Sequence, residues 1–564
     1  MLLAKHGAFY HAYGPECDTI DSHRGRTKRE DDYKIGERRT QSWSWGADFD
    51  HRIKVESSVV GAMASASSSP RVIIIGAGMS GILAAKTLHD SGIQDILILE
   101  ANSKIGGRIH RAQFGGHTVE LGANWVIGGG PRSNRLYEIA NKLKLKTYLS
   151  DFGNISANIY KQEGGLYPKR IVSAALEVAE ARDQFCSNFS TRLSSPGHNH
   201  DDVSILVSQR LFKQVPTTPL EMVIDYFYND YEDAEPPRVT SLLNTIPRYE
   251  FLDFGDQTYF LADSRGFESI VLYIAKQFLS HKHEAIRDQR LKLNKVVREI
   301  NYSKTGVRVK TEDGYMYQAK YVIVSVSVGV LQSDLIVFKP HLPDLLNVKQ
   351  QWKTLAIYDF DMAVYTKIFL KFPSKFWPSG PGTQFFLYAH EKRGYYPIWQ
   401  HLETEMPGSN ILFVTVTDEE AKRIEQQPDI KIQEEIMDVL KKMFGNNIPQ
   451  PEDILIPRWW SNRFFKGSFS NWPIGYSQRR HMQLKEPVGP IYFSGEHTYS
   501  RYLGYADAAY FAGGNSDVMD CQIRASGDYP LSEFGILTYC LFCTNEYYIE
   551  FHPLKQCEVN DEFQ

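Results

Sequence analysis

A glycine-rich loop between two apolar runs constrains the fold of this 564-residue chain more than any other feature. Residues 72–81 read Val-Ile-Ile-Ile-Gly-Ala-Gly-Met-Ser-Gly, and a second apolar run ends at Glu100. A buried strand followed by three spaced glycines, a helix and a terminal acid is typical of a dinucleotide-binding βαβ unit. In such a unit Gly76 permits the tight turn, Gly78 lets the backbone approach a pyrophosphate, and Gly81 lets the helix pack on the strand. Glu100 then falls where an acid meets the ribose hydroxyls.

A second glycine loop narrows the choice of dinucleotide. Residues 104–108 read Lys-Ile-Gly-Gly-Arg, and a short apolar strand at 491–497 ends in Gly-Glu-His. A nicotinamide cofactor needs no such loop, whereas an extended flavin dinucleotide needs further backbone donors and a cation. We therefore predict a flavin, held partly by Arg108. The alternative is a simple hairpin turn with a solvated arginine.

Composition excludes several classes of function. The net charge is −4, so no basic field indicates a nucleic-acid partner. No apolar run reaches 18 residues, so we predict no transmembrane segment. Six cysteines do not make a disulfide framework. Cys540 and Cys543 form a CxxC without a second pair, so we predict no metal site.

Longer strings carry a family resemblance that covers roughly residues 70–520. They include Glu-Leu-Gly-Ala-Asn-Trp-Val at 120–126, Ala-Glu-Pro-Pro-Arg-Val-Thr-Ser at 234–241, Pro-Arg-Trp-Trp-Ser at 457–461 and Gly-Glu-His-Thr at 495–498. The chain resembles the flavin-dependent amine oxidases, and among them the plant polyamine oxidases of the extracellular type.

The resemblance implies an α/β fold of two domains, each discontinuous in sequence. A Rossmann-like FAD-binding domain would comprise residues 70–165, 262–345 and 453–520. A substrate-binding domain of mixed sheet and helices would comprise residues 166–261 and 346–452.

The resemblance also implies the reaction. FAD would be bound non-covalently, because no cysteine lies in 499–505, where monoamine oxidase relatives attach it. A hydride would pass from the carbon beside a secondary amine of spermine or spermidine to flavin N5, and dioxygen would become hydrogen peroxide. The residues do not fix which carbon is oxidised. The resemblance favours terminal breakdown to 1,3-diaminopropane and an aminoaldehyde, by a monomeric enzyme.

Lys367 is the candidate catalytic residue. On the predicted strand 363–372 it shares a face with Tyr365 and Phe369. An amphipathic strand would place such a lysine in solvent, whereas the family's lysine of this motif holds a water before flavin N5. We carry that second role to Lys367.

The substrate pocket is predicted from an acidic run and scattered aromatics. Five carboxylates, Asp225, Asp230, Glu232, Asp233 and Glu235, lie among aromatic residues. They form either a solvated face or a negative entrance for a polycation. By resemblance, Glu232 is a tunnel carboxylate. The aromatic positions that match pocket residues, each of which could otherwise be core, are Trp125, Tyr365, Phe469 and Tyr505.

The cofactor positions follow in the same way. Backbone at Val296 would meet adenine, and Glu496 would reach the ribityl or pyrophosphate region. The full predicted set is Gly76, Gly78, Gly81, Glu100, Arg108, Val296 and Glu496.

Three residues depart from the family pattern. Ile127 stands where these oxidases usually carry a tunnel glutamate, a loss expected to weaken polyamine anchoring by about 1–3 kcal/mol. By resemblance, Asp507 and Ala508 lie in a helix that faces the flavin. The family has no acid at position 507 and has a glycine at position 508. These changes keep two alternatives open: a catalytically weak or FAD-poor relative, and a flavin oxidase of other amines.

The two ends of the chain and one internal segment lie outside the resemblance. Residues 1–69 lack an apolar h-region and read as a disordered leader. Residues 346–351 read as a small insertion, and the tail at 521–564 is atypical. With no signal peptide as written, the sequence indicates the cytoplasm, while the resemblance indicates the apoplast.

Overall fold

The computed structural model describes residues 69–195, 201–343 and 352–514. Almost all of the predicted leader, the whole of the predicted insertion and the tail after 520 lie outside these ranges. The strands are β1 Val72–Ile75, β2 Ile96–Leu99, β3 Arg111–Phe114, β4 His117–Glu120, β5 Trp125–Gly128, β6 Thr147–Leu149, β7 Ile159–Lys161, β8 Gln257–Leu261, β9 His281–Lys282, β10 Ala285–Ile286, β11 Leu291–Lys292, β12 Val297–Ser303, β13 Gly306–Thr311, β14 Met316–Ala319, β15 Tyr321–Val324, β16 Val337–Lys339, β17 Asp361–Ala363, β18 Tyr365–Lys371, β19 Phe385–Ala389, β20 Ile398–His401, β21 Ile411–Thr417, β22 Asp453–Leu455, β23 Phe469–Asn471 and β24 Ile491–Phe493.

The helices are α1 Met79–Asp90, α2 Arg135–Lys142, α3 Lys169–Leu193, α4 Ile205–Leu211, α5 Pro219–Tyr228, α6 Asp230–Asp233, α7 Leu242–Thr245, α8 Tyr249–Phe254, α9 Glu268–Ala275, α10 Val328–Leu331, α11 Trp352–Tyr358, α12 Asp418–Glu425, α13 Asp429–Phe444, α14 Gln478–Lys485 and α15 Ala506–Gly514.

A five-stranded parallel sheet forms the predicted dinucleotide-binding core. Its order is β11-β2-β1-β15-β24, and every neighbouring pair is parallel. The strands β1, β2, β15 and β24 are apolar because both faces of the sheet are covered, one by α1 and α9 and the other by β12 and β13. The carboxyl ends of β1, β2 and β24 therefore meet at one edge, where Gly76, Glu100 and Glu496 follow.

A six-stranded mixed sheet forms the second layer of the molecule, in the order β22-β18-β21-β20-β19-β7. Its pairs are antiparallel except for β19 with β7. The central strand β21 is buried along its whole length. The prediction of an α/β fold with a parallel and a mixed sheet is confirmed. The domain boundaries stay a prediction.

Helix α15 returns the end of the described chain to the first βαβ unit. A Cβ on Gly513 would lie 2.5 Å from the carbonyl oxygen of Ser80, so α15 and α1 pack too closely for any side chain at position 513. This contact brings the residues just before α15 to the same edge of the sheet as the glycine loop.

The sequence of residues 291–300 predicts a single strand, and this prediction is wrong. The run forms β11 in the parallel sheet and β12 in a separate four-stranded sheet. Asn294, which lies between them, has a positive φ of 57°, and this turn redirects the chain.

Among the described residues, no helix combines the length and the apolar character needed to cross a bilayer.

Candidate active site

The loop between β1 and α1 has the geometry of a phosphate cradle. Gly76 has a φ of +102°, and a Cβ on Gly81 would lie 2.2 Å from the Gly76 carbonyl oxygen. Both positions therefore require glycine for the fold itself. Gly78 is different, because its Cβ would meet nothing closer than 3.9 Å. No side chain caps α1 at Gly78, which leaves first-turn N–H groups for an anion.

Glu100 lies beside this loop as predicted. Its carboxylate is buried and accepts from the backbone N–H of Ala77 at 2.6 Å and from that of Asn102 at 2.9 Å. The N–H of Lys295 donates to the Glu100 carbonyl oxygen at 2.8 Å. This bond places Val296, the predicted adenine contact, next to the end of β2.

Arg108 and Glu496 form an ion pair at the same edge. The Arg108 guanidinium donates to Glu496 Oε1 at 2.7 Å and to the Ser468 carbonyl oxygen at 3.2 Å. The other Glu496 oxygen accepts from Ser470 Oγ and from the N–H of Gly504 at 3.2 Å. Although burial opposes it, the charge of Arg108 holds the pKa of Glu496 below its ordinary value. Glu496 is thus a fixed anion.

Lys367 lies inside the protein, so the solvent-facing alternative is wrong. Its side chain is 1% exposed. Nζ donates to the Gly122 carbonyl oxygen at 2.8 Å and to Asn124 Oδ1 at 3.3 Å, and it lies 5.6 Å from the Trp125 ring centroid. The quoted motif at 120–126 therefore surrounds the lysine on strand β18.

Glu120 is a neighbour of Lys367 to which sequence reasoning assigned no role. Burial lowers the pKa of Lys367, and the negative charge of Glu120 acts against that lowering. Burial likewise raises the pKa of Glu120, whose Oε1 accepts from the N–H of Phe267 at 2.7 Å. Glu120 Oε2 is buried without a hydrogen-bond partner among the described residues. The sequence feature that could have suggested a role for Glu120 is its place in the motif at 120–126.

The predicted pocket aromatics form one chain of contacts near Lys367. The Tyr365 ring lies 5.9 Å from Phe469 and 5.9 Å from Tyr231, measured between centroids. A Cβ on Gly504 would lie 3.2 Å from the Phe469 ring, so Tyr505 follows directly beside that ring. Trp125 lies at the lysine instead, and its Nε1 donates to Ser150 Oγ at 3.1 Å.

The acidic run is neither a solvated face nor a uniformly negative entrance. Asp225, Asp230 and Glu235 are 1%, 3% and 4% exposed. Most of the run is satisfied by internal partners: Arg182 and Arg393 for Asp225, Arg393 for Asp230, Arg248 for Asp233 and Asn471 for Glu235. The half-buried Glu232 differs, because it accepts from the Tyr505 hydroxyl.

Glu250 is a second carboxylate at Tyr505 that sequence reasoning missed. It lies on α8, is 6% exposed, and its negative charge acts on the Tyr505 hydroxyl. Burial raises the pKa of Glu250 to about 8, and the charge of Glu232 adds to that shift. Neither a motif nor a spacing links position 250 to position 232, so only the fold brings them together.

The three departures lie together near α15. Ile127 and Ala508 are buried in one apolar cluster with Phe254, so the Ala508 methyl packs inside the protein. The Asp507 carboxyl is buried and faces Asn134, and burial raises its pKa to about 7. A protonated Asp507 carries no charge to repel a pyrophosphate.

Comparison with known proteins identifies this arrangement. The family described as "Flavin containing amine oxidoreductase" matches residues 79–516. The chain belongs to that family. Polyamine oxidase 7 of Oryza sativa subsp. japonica is 56% identical to it over 459 residues, spanning 80% of this chain and 95% of the rice protein. Polyamine oxidase 1 of Zea mays is 54% identical, spanning 80% and 90%.

Solved structures of the family support the fold. Putrescine oxidase, wild type bound to putrescine, superposes with a TM-score of 0.61 at 18% identity, spanning 81% of this chain and 99% of that one. A triple mutant of the same oxidase gives the same score at 19% identity. The flavin-containing amine oxidoreductase fold thus extends over the described residues.

Proposed function

We propose that this protein is an FAD-dependent polyamine oxidase. It oxidises a secondary amine of spermine or spermidine to an imine, which water cleaves to an aminoaldehyde and an amine. In the net reaction, one dioxygen takes up the two electrons and two protons and leaves as hydrogen peroxide. The relatives that are more than half identical over four-fifths of the chain are polyamine oxidases, which supports this activity.

The residues present fit FAD. The observation that carries the proposal is the free space at Gly78, beside an uncapped helix N-terminus and between two loop glycines, Gly76 and Gly81, at which a Cβ would lie 2.7 Å and 2.2 Å from its nearest neighbour. Glu100 suits the ribose hydroxyls, and the loop at Arg108 with Glu496 suits the rest of an extended cofactor. Bound FAD would supply a two-electron acceptor for the oxidation.

Lys367 would position a water molecule at the reacting centre. An ammonium has three N–H donors, and Gly122 and Asn124 occupy two of them. If the amine is neutral, those two bonds use both of its N–H groups, and its lone pair remains to accept a hydrogen bond. In both states one position is left for water, and the buried site strengthens that bond.

The aromatic chain from Tyr365 to Phe469 would bind the apolar carbons that flank the reacting amine. That nitrogen must be neutral to give up a hydride from its neighbouring carbon, and an apolar wall favours the neutral form. The outer nitrogens stay charged and need carboxylates.

Two measurements test the proposal. Purified protein should show a flavin absorbance spectrum, and it should form peroxide with spermine and spermidine but little with benzylamine. Correctly folded protein that stays colourless after incubation with excess FAD would contradict it. Equal rates with benzylamine would instead indicate an oxidase of other amines.

A further inference from the structure

The hydroxyl of Tyr505 donates to Glu232 Oε1 on α6. Helix α8 packs at the same place, because its Phe251 contacts the apolar cluster that Tyr505 also contacts, and Arg248 just before it donates to Asp233 beside Glu232. The negative charge of Glu250 on α8 acts on the Tyr505 hydroxyl. The charges of Glu232 and Glu250 act on each other directly. A phenol has a single proton to donate, so it cannot satisfy both carboxylates at once.

The charges around this pair do not balance. Arg248 is the cation that acts on both carboxylates, but its guanidinium donates to Asp233 at 2.7 Å and to the Tyr228 carbonyl oxygen at 3.4 Å. Asp233 thus neutralises Arg248. Among residues 69–195, 201–343 and 352–514, Glu232 and Glu250 are left as two carboxylates beside one phenol, with no cation of their own.

Burying two charged carboxylates side by side costs folding free energy unless a proton or a cation binds between them. Burial raises the pKa of Glu232 as well as that of Glu250, so the ligand-free pair retains a proton near neutral pH. An ammonium group would replace that proton and satisfy both carboxylates.

The pair also lies at the right place for a substrate nitrogen. Tyr231, next to Glu232, contacts Tyr365 of the aromatic chain. Tyr505 itself follows Gly504, which lies against Phe469. Tyr505 and Glu232 are both half-buried, so each has a face open to a ligand.

We propose that Glu250 is a specificity-determining residue, and that with Glu232 it binds a non-reacting ammonium of the polyamine. The inference rests on the proposed polyamine oxidase function and goes beyond it by naming the second carboxylate. Binding of the ammonium releases the shared proton to solvent, while the Tyr505 hydroxyl remains as a donor to either carboxylate.

The test compares two inhibitors that differ in one ammonium, 1,8-diaminooctane and octylamine, in peroxide assays with spermidine. Glu250→Gln should raise the inhibition constant of the diamine about tenfold, which is about 1.4 kcal/mol. The constant for octylamine should change less than about twofold. Glu419→Gln, at a side chain 79% exposed, is the matched control and should change neither.

The unsubstituted protein supplies a second measurement should Glu250→Gln fail to bind flavin. Its inhibition constant for the diamine should fall more steeply than that for octylamine as pH rises towards 8, because the shared proton leaves. Both constants also fall as the amine at the reacting centre becomes neutral, so the ratio of the two constants is the measured quantity. Unchanged inhibition in Glu250→Gln, equal losses for both inhibitors, or a ratio that stays constant with pH would overturn the inference. Failure of the unsubstituted protein to oxidise spermidine would instead contradict the proposed function.

Discussion

Lys367 Nζ lies 2.8 Å from the carbonyl oxygen of Gly122, on a motif far from it in sequence. The contact joins the six-stranded mixed sheet to the segment that follows the second glycine loop. It fixes a buried amine against the motif at 120–126.

Lys367→Met should retain yellow, bound flavin but slow turnover on the order of 10²-fold, because a preorganised donor at the reacting centre is lost. Stopped-flow absorbance of the flavin measures the effect. Lys371→Met on the same strand is the control, since Nζ of Lys371 donates to the Phe372 carbonyl oxygen at 3.0 Å. Kinetics equal to those of the parent would remove Lys367 from the mechanism.

Gly78→Ala and Gly81→Ala should fail in different ways. A Cβ at position 78 would lie 3.9 Å from the nearest protein atom, so the variant should fold. Because the methyl would occupy the space proposed for the pyrophosphate, flavin affinity should fall about tenfold or more. A methyl at position 81 would lie 2.2 Å from a carbonyl oxygen, which should destabilise the fold by roughly 1–3 kcal/mol or more. Thermal melting with flavin titration separates the two. Full flavin affinity in a folded Gly78→Ala protein would show that this space serves no cofactor.

Asp507→Asn should bind flavin as the parent does below pH 7. Burial raises the pKa of Asp507 to about 7, so the parent carboxyl is uncharged there. Above pH 7 the parent carboxyl ionises and should release flavin more readily than the variant. Flavin retained after dialysis at about pH 6 and about pH 8 measures this difference. Equal retention at both values would mean that Asp507 lies too far from the pyrophosphate to matter.

Glu250→Gln should become more stable relative to the parent as pH rises. Burial raises the folded-state pKa of Glu250 to about 8, above its ordinary value of 4.5. The stability that its protonated form contributes is complete below 4.5 and is lost as pH rises through 8. The difference in Tm between variant and parent should therefore grow by roughly 2 °C or more across this window. A constant difference would argue against a buried, protonated Glu250.

Ile127→Glu should lower the apparent KM for spermidine. Ile127 is buried in an apolar cluster packed against Tyr505, so a carboxylate there would reach the Glu232–Glu250 pair. The gain should be larger in a Glu250→Gln background, where one carboxylate is missing, at about tenfold. An unchanged KM in that background would refute this account of the pocket.

The cofactor edge was predictable from the sequence because its signals are local. The spacing of Gly76, Gly78 and Gly81 after an apolar run dictates a turn, a close approach and a helix. Glu100 ends a second run of the same kind, and the structure places it at that loop. Local spacing did not reveal the turn at Asn294, which splits one predicted strand between two sheets.

The acidic run shows that a sequence pattern does not predict which distant charges a carboxylate pairs with. A string of carboxylates has the same sequence whether arginines from other helices neutralise it or a substrate does. Arg182 and Arg393 approach Asp225 from distant positions, and only folding reveals that they pair with Asp225 and Asp230 rather than with Glu232.

The sequence by itself determined the parallel sheet, the glycine loops and the family, since these depend on neighbours along the chain. The tertiary structure alone decided that Lys367 is buried, that most of the acidic run is internally paired, and that Glu250 meets Glu232 at Tyr505. The physical reason is that burial and charge pairing depend on which distant segments pack together, a quantity no local pattern carries.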